Sequence, residues 1–206
     1  MKLILSLILL FSSICFGQLF GQEVIELKSR TSGLSAGVQA GYMSYQDDQI
    51  HPANDNGFGY GAHVQYGFNN KFGVDLSFTH YEVKSNSFNN INSPYPYTAI
   101  DCTARFFFGS TNSSLRPFLS AGINYTRSQE LFQDPNTFFE SNEIYSGYGF
   151  AGGFGISYFL QPEISIDLSV VANSGSYINT TVNGQDFEFD HRYLSYIGLG
   201  GLSYHF

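Results

Sequence analysis

From about residue 34 onward the chain alternates apolar and polar positions with a period of two, the spacing of an extended strand whose side chains point to opposite faces. In GFGYGAHVQYGF, residues 57–68, Phe58, Tyr60, Ala62, Val64, Tyr66 and Phe68 share one face. Gly57, Gly59, Gly61, His63, Gln65 and Gly67 share the other. GYGFAGGFGISYF, residues 147–159, repeats the pattern, with Tyr148, Phe150, Phe154, Ile156 and Tyr158 set against glycine, alanine and serine. The alternation predicts eight strands at about 34–46, 57–68, 72–83, 97–108, 116–127, 147–159, 164–173 and 193–206.

One greasy face per strand suits either a water-soluble barrel filled with apolar side chains or a membrane barrel coated with them. Eight strands enclose too little room for so many aromatics, but enough for small residues and a polar network. The apolar band is therefore expected to face lipid. The connections agree. Short turns at 69–71, 109–115 and 160–163 alternate with long loops at about 47–56, 84–96, 128–146 and 174–192. The predicted fold is all-β: an eight-stranded antiparallel up-and-down transmembrane β-barrel over 33–206. Phe68, Phe72, Phe106, Phe108, Tyr158 and Phe206 would form the aromatic girdle at the end carrying the termini. Tyr42, Phe58, Tyr60, Phe78, Tyr125, Tyr148 and Tyr196 would form the other.

Composition refines this. The chain has 22 Gly, 21 Phe, 15 Tyr and no Trp, so tyrosine supplies the amphipathic interfacial ring. MKLILSLILLFSSICFG, residues 1–17, has a basic start, a short apolar run and small residues, and reads as a cleaved export signal. Residues 18–32 would follow as a short periplasmic segment. Cleavage removes Cys15 and leaves Cys102 alone, so no disulfide framework supports the fold. The formal net charge of −8 becomes −9 once Lys2 departs, which argues against nucleic acid as a partner.

RPFLSAGINY (116–125), GFAGGFGISYFL (149–160) and the ending GLGGLSYHF resemble the small eight-stranded outer-membrane barrels of Gram-negative bacteria. These are the OmpA/OmpX-like proteins, often labelled porin family. The phenylalanine, tyrosine and asparagine richness is similar to exported Bacteroidetes proteins. The resemblance implies a bacterial outer-membrane location with both termini periplasmic and the long loops extracellular. It implies outer-membrane lipid, lipopolysaccharide and the barrel assembly machinery as partners, with no cofactor and an extracellular ligand that the sequence leaves unnamed. Gly201, Tyr204 and Phe206 match the family's C-terminal assembly signal, although Leu199 stands where that signal prefers a polar residue.

Inward charges are few. Asp75 and Arg105 are expected at similar depth on neighbouring strands, and Asp101 and Asp167 also point inward. Arg105 could then be shared by several carboxylates, with Arg116 near the rim. Such ions in a narrow lumen need partners, so the four residues are expected to plug the barrel rather than line a channel. The expected role is structural or surface-binding, in adhesion or envelope integrity, and not enzymatic, with no catalytic or metal site. Two alternatives stay open: a lipid-modifying barrel enzyme, and a barrel binding a small solute or apolar ligand. For the enzyme, His80 and Glu82 point outward, but Phe78 and Glu82 occupy the positions where a serine partner of His80 would stand. Loop acids (Asp47, Asp48, Asp55, Asp186, Glu188, Asp190), His51 and His191, and the loop's apolar Leu131, Phe132, Phe138 and Phe139 are further binding candidates.

Overall fold

The computed structural model describes residues 31–47, 54–85, 94–111, 113–133 and 140–206. The expected leader, most of the segment after it, and Asp48, His51, Phe138 and Phe139 lie outside the described residues, as do the side chains of Phe132 and Glu188. Eight strands run in chain order: β1 (Gly33–Asp47), β2 (Asp55–Gly67), β3 (Phe72–Lys84), β4 (Tyr95–Phe107), β5 (Leu115–Gln133), β6 (Glu140–Gln161), β7 (Ile164–Val182) and β8 (Gln185–His205). Each pairs antiparallel with its sequence neighbour, and β8 closes on β1 through a register running from Ser35↔His205 to Asp47↔Tyr193. Closure removes the sheet edges that would otherwise leave backbone donors and acceptors unpaired.

Three short turns lie at the end carrying the termini. At the first, Asn69 Oδ1 accepts from the amides of Lys71 (2.8 Å) and Phe72 (2.9 Å), so a local side-chain bond reverses the chain. The opposite end differs from expectation. The loop predicted at 174–192 is almost entirely paired strand, closed by Asn183 (φ 50°) and Gly184 (φ 85°). That is a two-residue turn of the type whose twist matches a hairpin, and Asn-Gly is its sequence signature. The loop predicted at 128–146 likewise becomes strand up to Gln133 and again from Glu140. β5–β8 therefore outreach β1–β4 by several residues. Asn183 also exchanges bonds with Asn142 of β6, through N–H to carbonyl at 3.0 Å and Oδ1 from amide at 3.1 Å, which ties the tip to its neighbour.

The outer surface carries the apolar band. Leu76 and Val64 are about half exposed, and Phe58 and Phe150 are each 76% exposed. On β5 the outward run Leu115–Tyr125 covers about 34 Å of strand at ~3.4 Å per residue, which a tilt near 45° reduces to about 25 Å, the height of a hydrocarbon core crossed by a barrel.

Candidate functional site

The lumen brings together chemistry from strands distant in sequence, and it is filled in layers. At the end carrying the termini, Phe107, Phe118 and Phe159 are buried, and the Phe107 and Phe118 rings lie 5.5 Å apart. Arg116, fully buried, donates to the carbonyls of Phe108 and Asn70, holding the β4–β5 turn against the β2–β3 turn.

A polar layer follows. Cross-strand pairing sets Gly73 beside Arg105 and Asp75 beside Thr103, which brings Arg105 Nη2 to 3.0 Å from Asp75 Oδ2. Arg105 Nη1 donates to Gln65 Oε1 at 3.0 Å, and the guanidinium lies over the Phe118 ring at 4.8 Å. Asp101 and Asp167 do point inward, but neither shares Arg105. Asp101 accepts from Ser77 Oγ and, across the lumen, from Asn173 Nδ2, both at the long limit of 3.5 Å. Asp167 accepts from Ser203, and from Ser165 Oγ at 3.3 Å. The depth of each strand's register decides this: hydroxyls and amides, not the Arg105 guanidinium, stand level with those two carboxylates.

The third layer was not anticipated. Seven tyrosines are buried in the lumen (Tyr45, Tyr81, Tyr95, Tyr97, Tyr145, Tyr177, Tyr193), packed with Met43, Val83 and Ile197. Rings touch in sequence across the barrel: Tyr81 to Tyr97 at 6.4 Å, Tyr97 to Tyr45 at 5.4 Å, and Tyr177 to Tyr193 at 4.9 Å. The hydroxyls of Tyr45 and Tyr177 meet at 2.9 Å and join the two sides. The room denied to aromatics by the argument from strand number comes from glycine. A Cβ on Gly59 would come within 2.3 Å of Tyr81, and one on Gly149 within 2.7 Å of the Tyr193 hydroxyl. A signal was present in the sequence. Tyr95, Tyr97 and Ala99 alternate with Pro96 and Thr98, and Tyr81 and Val83 with His80 and Glu82, so the polarity of the two faces inverts without any change of phase.

Beside the tyrosines the inward acids Asp47, Asp55 and Glu130 are buried, with Tyr95 donating to Asp55 at 3.0 Å and Tyr45 to Asp47 at 3.2 Å. Asp186, expected in a loop, accepts from Thr181 across the β7–β8 hairpin at 2.6 Å. His191 is buried on β8 opposite Tyr177, not in a loop. Among the described residues, no group of three or more His, Cys, Asp or Glu side chains is placed to hold a metal ion. At the closing strand, Gly201 pairs with Gln39, and Tyr204 and Phe206 are exposed on the outside with rings 5.0 Å apart. The Phe206 amide donates to Leu34 O at 2.9 Å, so the last residue is held by β1.

A closed eight-stranded barrel, apolar outside and filled inside, defines a membrane β-barrel. The chain belongs to the outer membrane protein beta-barrel domain family, whose model matches residues 10–193. No curated protein sequence matches it. Among solved structures it is similar in fold to OprG of Pseudomonas aeruginosa (TM-score 0.60, 15% identity, 87% of this chain and 99% of that one). It is also similar to Neisserial surface protein A (0.58, 18%, 85% and 98%) and to Ail, the attachment invasion locus protein of Yersinia pestis (0.51, 20%, 85% and 99%).

Proposed function

We propose that this barrel is an envelope protein that acts through its surfaces, in adhesion or envelope integrity, and passes no solute through its lumen. The observation that carries the reading is the filled interior: phenylalanines, then the Arg105–Asp75–Gln65 group with the Asp101–Asn173 contact across the lumen, then the tyrosines joined by Tyr45 and Tyr177. In this reading Asp75, Asp101, Arg105 and Asp167 serve as a polar plug, and Gly201, Tyr204 and Phe206 present the closing strand to the assembly machinery. The termini face the periplasm and the long hairpins face outside, where β5–β8 rise as a platform for an extracellular partner. The attachment named for the Yersinia relative favours the same use of such a platform.

Planar-bilayer recording tests this directly. Refolded protein is expected to give no stepwise conductance, and regular single-channel steps would overturn the reading. A second reading, lipid modification, has one observation in its favour: His80 Nδ1 lies 3.2 Å from Thr98 Oγ1 on the outward side, offering a hydroxyl where no serine was available. Lipid A mass in expressing cells is expected to stay unchanged. A new species lost in His80→Ala would replace the surface-protein reading with an enzymatic one.

A further inference from the structure

The wall is uneven in height, and where it steps down a strand edge is left without a neighbour. β8 pairs with β7 from Ile164↔Tyr204 out to Val182↔Gln185, but with β1 only as far as Asp47↔Tyr193. β5 likewise pairs with β6 out to Gln133↔Glu140, and with β4 only to Tyr97↔Ser128. Among the described residues, no strand pairs with the side of residues 185–190 that faces away from β7. An antiparallel strand directs its amides and carbonyls alternately to its two sides, so this segment presents a row of backbone donors and acceptors. Six residues at ~3.4 Å each make the edge about 20 Å long, the length of an ordinary strand.

Such an edge templates pairing with another chain unless its sequence refuses one. This sequence is selective. Its register with β7 shifts once, between Tyr177 and Asn179, and acids stand at positions 186, 188 and 190. Two copies paired edge to edge about a two-fold axis at residue 188 would set Asp186 of one opposite Asp190 of the other. Like charges directly opposite destabilise a sheet, so a second copy is refused. The same charges favour a cationic strand. The raised segments 129–133, 140–145, 177–182 and 185–192 carry Glu130, Glu140, Glu143, Asp186, Glu188 and Asp190 against Arg192 and His191. Asp186 and Asp190 are exposed, and between them Phe187 is 51% exposed. A strand laid along this edge therefore meets carboxylates and an open aromatic ring.

We propose that the 185–190 edge of β8 binds an extended peptide segment of alternating basic and apolar residues, which joins the sheet as an added strand. The proposal rests on the reading of the long hairpins as an extracellular platform, and it names the chemistry of the partner. Backbone bonds along the edge supply affinity, and alternate side chains supply selection. Lysine or arginine of the partner meets Asp186 and Asp190, and its apolar residues cover Phe187. Tyr193 sets the lower limit, because from there β1 occupies that side of β8.

The test uses the full chain refolded in neutral maltoside micelles, so that a cationic peptide finds no anionic lipid. A short peptide alternating lysine and valine is titrated and followed by nuclear magnetic resonance and amide exchange. Two controls accompany it: the glutamate–valine counterpart, and the lysine peptide N-methylated at every backbone amide. Saturable shifts and slowed exchange at residues 185–190 are expected with the lysine–valine peptide and with neither control. Replacing both Asp186→Asn and Asp190→Asn should weaken binding by about threefold to tenfold, the worth of two exposed ion contacts. Phe187→Ala should weaken it by roughly twofold to fivefold. Equal binding of the N-methylated peptide would overturn strand addition, and equal binding of the glutamate peptide would overturn the basic assignment. Protection confined to residues 129–133, or no saturable protection, would overturn the site. Stepwise conductance alongside protection at 185–190 would overturn the plugged lumen and support the edge; a silent bilayer without protection would overturn the edge alone.

Discussion

Below the tyrosine layer the barrel is inside out, and above it the barrel resembles a soluble protein. In the lower part Leu76, Val64 and Phe154 face outward while Asp75, Gln65 and Arg105 face in. In the upper part Glu82 and Lys84 face outward while Tyr81, Val83, Tyr95 and Tyr97 are buried. The strands and their phase are continuous through both; only the solvent differs. Where lipid surrounds the wall, apolar side chains point out and polar groups satisfy one another inside. Where water surrounds it, the ordinary arrangement returns and a small hydrophobic core forms. The inversion thus marks the membrane boundary independently of any girdle.

The inside-out lower part depends most on its buried ion pair. Arg105→Ala leaves Asp75 buried without its cation and is expected to cost about 3–5 kcal/mol in urea unfolding from lipid vesicles. Adding Asp75→Asn should recover a large part of that loss; an unchanged midpoint in Arg105→Ala would mean the lower lumen is wet and the pair screened. The boundary itself is sharpened by placing a charge on either side of it. Leu76→Arg should destabilise by roughly 2–4 kcal/mol, and Asn56→Arg by about 1 kcal/mol or less. Equal costs at the two positions would contradict the inversion. In the upper core, Tyr177→Phe removes the 2.9 Å bond to Tyr45 and should cost about 1 kcal/mol. The smallest global effect is expected at the hairpin tip. Gly184→Ala forces a side chain into a left-handed conformation at a local cost of roughly 1–2 kcal/mol. That strain should appear as faster amide exchange near Asn183, with the melting of the band unmoved, because the tip opens by itself.

Much of the fold was legible in the residue pattern because a β-strand's period is fixed at two. The alternation in GFGYGAHVQYGF specified which residues look outward, and Asp75 and Arg105 could be placed near one another by counting along a hairpin. The loop predicted at 174–192 leaves out of account Asn183-Gly184, a turn signal lying between two segments that pair as strand. Polar outward residues such as Ser174, Ser176 and Arg192 look like loop composition until their inward partners are known to be buried.

By itself the sequence determined the alternation, the strand count, the one-sided apolar band and the place of the chain's last residue beside the first strand. Periodicity and composition are local, and the membrane tolerates only one way of arranging them. The tertiary structure decided who meets whom inside. Asp101 finds Asn173 from β7 across the lumen, Asp167 finds Ser203, and Tyr45 finds Tyr177. These contacts depend on the tilt and shear with which eight strands close, a collective property of the cylinder that no single strand carries.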